Sequence, residues 1–234
     1  KIQCVWEHNG DDSILYSANF VGAFTRGKSK GEAIQKMPSE IRSYLMWKGD
    51  APPDALEPEI VQEKASALTV SDADSDVLFN GEKAPLTAAE YEALKSLAMK
   101  SARDFLALYQ AIPDKDKSAL PPRATFYGEI PRTAREMYEH TKNVNTYYFG
   151  EIGVQTDNEG TIAASRERGF ALLESQPGYL ENTVYLGSYE EEWSLRKVLR
   201  RFIWHDRIHA KAMYRMAVKT FGGTAVPNVF SFDV

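Results

Sequence analysis

Length, composition and charge limit the kinds of protein that this sequence can encode. The chain has 234 residues, 43% of them hydrophobic, which is enough for one large domain or two small ones with apolar cores. Its net charge of -5 provides no basic excess for binding phosphates, so nucleic acid is not an expected partner. The single cysteine, Cys4, excludes an internal disulfide framework and a cysteine-based zinc site.

The hydropathy pattern predicts no membrane-spanning segment and no secretory leader within these 234 residues, and it leaves open what precedes Lys1. No stretch approaches the roughly 20 consecutive apolar residues that cross a bilayer, and the chain does not begin with a basic segment followed by an apolar one. The low cysteine content fits a reducing compartment. The expected location is therefore the cytoplasm, with no membrane partner.

The first 70 residues begin with a β-hairpin pattern. Two apolar runs, at residues 2–6 and 13–24, are joined by the turn-forming sequence Asn-Gly-Asp-Asp at residues 9–12. The two runs are expected to pair as antiparallel strands.

A helix and a third strand are predicted after the hairpin. Ser29 and Glu32 have the spacing of a capping box, and apolar residues then recur at helical spacing as far as Trp47. Pro38 lies inside this pattern, so we expect a bend or a restart of the helix there. Residues 59–70 are typical of an exposed strand. The sequence thus predicts a small α+β domain at residues 1–70, with the order strand, strand, helix, strand.

Residues 71–85 are rich in turn formers and are predicted to be a linker. Three aspartates in this segment resemble the start of a calcium-binding loop: Asp72, Asp74 and Asp76. The sixth position of such a loop is Val77 instead of glycine, and the twelfth is Lys83 instead of glutamate. A calcium site is therefore not expected.

From residue 86 onward, apolar residues recur at spacings of three and four, which is typical of helices that pack through one face. Thr87 and Glu90 form a capping box at the start of the first helix, and Pro113 ends it. The pattern predicts four helices, at residues 86–112, 131–150, 159–176 and 193–221. Residues 86–234 are therefore predicted to be an all-α four-helix bundle.

Three of the four histidines fall on the apolar stripes of these helices. His205 and His209 are four residues apart, so both imidazoles project from one face of the last helix. His140 lies on the stripe of the second helix, whereas His8 belongs to the N-terminal domain. Neutral imidazole is a common ligand of transition metals, and three imidazoles leave a position for water or substrate. The sequence predicts one divalent metal held by His140, His205 and His209.

A plainer interpretation is that each histidine is a core residue with a hydrogen-bonded neighbour. That interpretation suits any one of them, but three imidazoles packed together lose solvation that a metal would restore. Glu136 is one turn from His140 and is read as a surface residue, not a ligand. Asp206 and Arg207 are expected to point away from the stripe and to solvate the helix or orient a ligand.

Two segments carry a resemblance to a known family. These are Thr-Ala-Arg-Glu-Met-Tyr-Glu-His, which ends at His140, and Trp-His-Asp-Arg-Ile-His-Ala-Lys-Ala-Met at residues 204–213. Residues 86–234 resemble the DinB-like, damage-inducible four-helix-bundle superfamily. The resemblance implies that His140, His205 and His209 bind a metal, commonly zinc or nickel. Members often have glutamate where this chain has Asp206. Some are thiol-dependent transferases or isomerases.

The N-terminal domain carries a second, shorter resemblance. Its strand order and the sequence Gly-Lys-Ser-Lys-Gly-Glu-Ala-Ile at residues 27–34 are similar to the HicB-type domain of antitoxins. In antitoxins such a domain binds a toxin RNase. Here a helical bundle follows it, so a structural or ligand-gating role is at least as well supported as toxin binding.

Two functions remain open at the level of sequence. The first is a metal-dependent hydrolase or thiol-dependent transferase with an open three-histidine site. The alternative is a non-catalytic binding or regulatory module with a structural metal, whose N-terminal domain recognises a protein. No catalytic residue is assigned. The expected partners are an unidentified small-molecule substrate or thiol and, through the bundle helices, a second copy of the chain.

Overall fold

The fold has an α+β N-terminal part and a helical C-terminal part. A computed structural model of the chain describes residues 1–125 and 128–233. The N-terminal part consists of β1 (Ile2–Asn9), β2 (Asp12–Ser17), β3 (Phe24–Gly27), α1 (Lys30–Lys48) and β4 (Pro58–Ala65). The C-terminal part consists of α2 (Ala88–Ala111), β5 (Ala124–Thr125), β6 (Gly128–Glu129), α3 (Ala134–Lys142), α4 (Val144–Gly150), α5 (Ile162–Glu174), β7 (Tyr185–Leu186), β8 (Glu192–Trp193) and α6 (Leu195–Phe221).

The N-terminal sheet has four strands in the order β3-β2-β1-β4. The predicted hairpin is confirmed: β1 and β2 pair antiparallel, and the turn between them places Gly10 at a φ of 59°. β3 pairs antiparallel with β2, and β4 pairs parallel with β1. Helix α1 connects β3 to β4, so the chain crosses from one edge of the sheet to the other before β4 pairs parallel with β1.

The predicted strand order was wrong in one respect, because it omitted β3. The apolar run at residues 13–24 contains β2, a turn and the first residue of β3. In the turn, the Ser17 hydroxyl accepts a hydrogen bond from the backbone N–H of Phe20 at 3.0 Å. Because a side-chain bond stabilises this turn, its sequence lacks the dipeptides that usually mark a hairpin. The hydrophobic run therefore concealed a reversal of the chain.

Helix α1 begins as predicted, with the Ser29 hydroxyl accepting a hydrogen bond from the backbone N–H of Glu32. It passes through Pro38 as one element and ends at Gly49, whose φ of 87° suits a glycine cap. A restart of the helix at Pro38 therefore does not occur, and the expected bend stays a prediction. Apolar side chains on one face of the helix pack against the sheet: Ala33, Met37, Ile41 and Tyr44.

The helical part agrees with the predicted pattern in most places. The capping box at Thr87 begins α2, and Ser194 caps α6. The helix predicted at residues 131–150 is instead two helices, α3 and α4, which meet at Asn143. The predicted end of the bundle at residue 234 lies outside the described residues. No helix in the described part of the chain is long and apolar enough to cross a membrane.

Segment 71–85 connects the two parts but is packed against them. The side chains of Val77 and Phe79 are buried in a hydrophobic cluster with Trp204 of α6. Glu82 is also buried and forms an ion pair with Arg200 of α6. A second, larger cluster contains apolar side chains from the N-terminal sheet and from all the long helices. The domain boundaries remain a prediction, but the two parts share a continuous core.

We expect Gly22→Ala to lower the free energy of unfolding by about 2–4 kcal/mol. Gly22 has a φ of 94°, and a Cβ at this position would lie 2.2 Å from Cγ2 of Ile203 on α6. Gly10→Ala is the matched control, because Gly10 also has a positive φ but has no atom within 4 Å of a built Cβ. Denaturant unfolding that shows equal losses for both variants would contradict the contact between the N-terminal part and α6.

Candidate metal centre

His140 is positioned by a well-capped short helix. The Thr133 hydroxyl accepts a hydrogen bond from the backbone N–H of Glu136 at 3.1 Å, and the Glu136 carboxylate accepts one from the backbone N–H of Thr133 at 2.9 Å. These backbone hydrogen bonds lower the pKa of Glu136. The carboxylate is thus used to start α3, as expected for a residue that is not a ligand.

The three predicted histidines come together between α3 and α6. One ligand atom from each of His140, His205 and His209 lies within 4.8 Å of the other two. The ring centroids are 5.2 Å apart for His140 and His205, 4.6 Å for His140 and His209, and 4.4 Å for His205 and His209. Within the part of the chain that the structure describes, no other group of three or more potential metal ligands meets this spacing.

The distances within the cluster suit a common metal. The Nε2 atoms of His205 and His209 are 3.1 Å apart. Two nitrogen ligands at about 2.0–2.1 Å from a tetrahedral ion are separated by about 3.3 Å. The pair on α6 therefore already has nearly the spacing of two ligands of one ion, and His140 offers a ligand atom within 4.8 Å of both.

All three imidazoles are held in the neutral form that binds metals. Burial, and then the neighbouring His140, lower the pKa of His209 to about 3. Burial, followed by the other two histidines, holds the pKa of His205 well below its ordinary value. Loss of solvent on one side of the ring lowers the pKa of His140. Neutral imidazoles offer a lone pair to an ion without first releasing a proton.

The cluster is open on one side. His205 is buried with 7% of its surface exposed, His209 is half-buried, and His140 is exposed. Solvent therefore reaches the cluster at His140, whereas the His205 ring is covered. A site of this kind provides a position that an outside ligand can occupy, unlike a closed structural site with four protein ligands.

The alternative of three hydrogen-bonded core histidines is poorly supported. The contact between His205 and His209 joins two histidines, so at most one of the two facing nitrogens can donate a proton. Nδ1 of His205 is buried and has no hydrogen-bond partner among the described residues. In a metal-bound histidine, the ring nitrogen that does not bind the ion usually donates to a carboxylate or a carbonyl. Nδ1 of His205 has no such acceptor among the described residues.

The expectation that Asp206 and Arg207 solvate the helix was wrong. Both side chains are fully buried. Asp206 forms a two-pronged ion pair with Arg166 of α5, in which one N–O distance is 2.9 Å, and accepts a hydrogen bond from Ser101 of α2. Arg207 forms an ion pair with Glu40 of α1. Neighbouring elements cover α6 on several faces, so positions beside the histidine stripe are also interior.

Arg201 is a neighbour of the site that the sequence analysis missed. It lies one turn before His205, and its guanidinium is 5.5 Å from the ring centroid of Tyr148 and 4.9 Å from that of Trp204. It donates a hydrogen bond to the backbone carbonyl of Ser75 at 3.0 Å. Its positive charge contributes to the low pKa of His205. The sequence did contain a signal for Arg201: it precedes His205 by four residues, as His205 precedes His209, so the three share one face of α6.

No protein-family model, no curated protein and no solved structure matches this chain. The resemblances to the DinB-like and HicB-like families therefore remain hypotheses that depend on the sequence segments quoted above. The function has to be argued from the three-histidine cluster and its surroundings.

Proposed function

We propose that the protein binds one divalent transition metal, zinc or nickel, through His140, His205 and His209. We further propose that it acts as a metal-dependent hydrolase or thiol-dependent transferase. The observation that carries the proposal is the convergence of three neutral imidazoles on one point, with ligand atoms within 4.8 Å of one another. Exposure of the cluster on the His140 side supports an exchangeable position for a substrate or a thiol.

In this proposal, His205 and His209 hold the ion, and the side on which His140 lies admits an outside ligand. His205 and His209 are fixed by the long helix α6, whereas the shorter helix α3 brings His140 to the exposed side. When bound, a divalent ion lowers the pKa of a coordinated water or thiol toward neutrality. Arg201 places a buried positive charge close to His205, which favours an anionic ligand near the cluster.

The proposal includes the finer description of the fold. Helices α2, α5 and α6, together with the α3–α4 pair, supply four helical arms, which is the arrangement expected of a DinB-like bundle. The N-terminal sheet and α1 are proposed to be a HicB-like domain with a structural role, supported by the ion pair between Glu40 and Arg207. We place the protein in the cytoplasm, with a small-molecule substrate or thiol, no nucleic acid partner, and a second copy of the chain as the candidate assembly.

A non-catalytic module with a structural metal is the second candidate. It is favoured by the composition of the cluster, which contains three histidines and no aspartate or glutamate among the described residues. A hydrolase normally needs a group that accepts a proton near the metal. The two candidates differ in whether the metal accepts a ligand from outside.

Substitution of cobalt for the native ion distinguishes the two. We expect azide and free cysteine each to produce a saturable change in the visible absorption bands, because three protein ligands leave a position on the ion. The His209→Ala variant is the control for cobalt bound elsewhere and is expected to lack the bands. Fully loaded protein whose spectrum responds to neither ligand would instead favour the structural module.

A further inference from the structure

A cleft separate from the histidine cluster lies between the N-terminal part and α6. It has a volume of about 560 Å³ and is formed by residues of β3, α1 and α6, together with Asp233 near the end of the chain. This volume falls within the usual range for small-molecule sites, about 300–1,000 Å³. None of the three histidines lines it. Ile208 is next to His209 in sequence, but successive helical residues point about 100° apart.

The cleft is positively charged, although the whole chain has a net charge of -5. Two carboxylates line it, Glu40 and Asp233, against four cationic side chains: Arg26, Lys36, Lys211 and Arg215. A net positive lining in an acidic protein is a local feature that attracts anions.

Part of this positive charge is already compensated, because Lys36 forms an ion pair with a glutamate of its own helix. The carboxylates of the cleft compensate the two cations of α6 less completely. Glu40 is buried and already has a partner in the fully buried Arg207, whose Nη2 is 2.7 Å away. Lys211 is farther from Glu40, at 3.7 Å, and is partly buried. Arg215 forms no ion pair or hydrogen bond with any of the described residues. Lys211 and Arg215 are four residues apart on α6, so both project toward the same side.

The rest of the lining is suited to a small organic molecule. The buried Ser43 donates its hydroxyl proton to the backbone carbonyl of Ser231 at 2.7 Å, which leaves its oxygen able to accept. Phe24, Ile208 and Ala212 provide apolar wall. A cleft with cations at one side and apolar surface beside them matches a molecule with an anionic group on an organic body.

We propose that this cleft is a binding site for a small oxyanion ligand, one with a phosphate or carboxylate group that Lys211 and Arg215 contact. The arginine guanidinium offers two parallel donors to such a group, and the lysine offers a point charge beside it. The site is independent of the metal centre, so the proposal does not depend on the metal-dependent function.

Calorimetric titration of the full-length protein tests the site, with inorganic phosphate and succinate as the two probes at constant ionic strength. We expect saturable binding of at least one probe in the millimolar range or tighter, and the stronger probe identifies which oxyanion the site prefers. Lys211→Gln and Arg215→Gln should each weaken this binding by about tenfold or more, as expected for loss of a charge-assisted contact.

Three controls make the outcome specific. Lys219→Gln removes an exposed cation of α6 outside the cleft and should leave binding unchanged. Asp233→Asn removes a negative charge from the cleft and should leave binding unchanged or tighter. His209→Ala should have no effect, which separates this site from an anion bound to a metal. Absence of saturable binding for both probes, or wild-type affinity in Arg215→Gln, would overturn the proposal.

Discussion

Asp206→Ala is expected to lower the free energy of unfolding by about 3–5 kcal/mol, because it leaves a buried arginine without its counter-charge. Asp206 and Arg166 are both fully buried and form two charge-assisted hydrogen bonds. The variant also removes one of the two acceptors of the Ser101 hydroxyl, which leaves the backbone carbonyl of Ala98. Urea denaturation followed by circular dichroism measures the loss.

An exposed ion pair provides the matched control for this prediction. Asp157 pairs with Arg168 on the surface, with both side chains close to half exposed. Asp157→Ala should lower the free energy of unfolding far less than Asp206→Ala does, since water and salt screen exposed pairs. The double replacement Asp206→Leu with Arg166→Met should recover much of the loss, because it removes both buried charges. Equal losses for the Asp206 and Asp157 single variants would contradict the buried position of Asp206.

The buried charges of α6 connect the fold to the histidine cluster. Asp206 and Arg207 directly follow His205, and each is tied to a different helix. The two-pronged pair of Asp206 with Arg166 and the single contact of Arg207 with Glu40 are both directional. Such contacts restrict the rotation and sliding of a helix more than apolar contacts do. We infer that these pairs fix the rotation of α6 and so hold His205 and His209 toward α3.

Local signals in the sequence predicted the helix starts well. Ser29 and Thr87 each have a glutamate three residues later, and each caps a helix in the structure. Thr133 and Glu136 form the same kind of cap, but the start of that helix was predicted at residue 131 instead of Ala134. A cap acts within one turn, so its signal does not depend on the rest of the fold. The break at Asn143 had no such signal. At the break, Asn158 donates to the backbone carbonyl of Asn143 and accepts from the backbone N–H of Thr146. These contacts come from outside the stretch whose periodicity alone suggested one helix.

The three histidines were predictable because helical spacing brings His205 and His209 to one face, and the apolar stripe of the second helix brings His140 inward. The burial of Asp206 was not predictable in the same way. A stripe model assigns one buried face to a helix, but α6 contacts α2, α3, α4 and the N-terminal part. Charged side chains of α6 are therefore buried where another element supplies a partner. The partner of Asp206 is Arg166, which is distant in sequence, so the sequence around Asp206 does not reveal it.

Removing one histidine from the cluster is the second change with a large expected effect. Three imidazoles share the free energy of metal binding, which for structural zinc sites is about 10–16 kcal/mol, so loss of one ligand should weaken binding by about 100-fold or more. His140→Ala is the sharpest variant, since His140 is exposed and its replacement leaves the core intact. His8→Ala is the control, because His8 belongs to β1 and contacts Trp6 and Glu63 instead.

Elemental analysis of the full-length protein, purified without a histidine tag and reconstituted with zinc or nickel, tests the central claim most directly. We predict about one ion per chain in the wild-type protein and in His8→Ala, with most of the metal lost from His140→Ala and from His209→Ala under the same dialysis. Wild-type protein that retains no metal after reconstitution, or a His209→Ala variant that retains as much as the wild type, would contradict a metal centre at these three histidines.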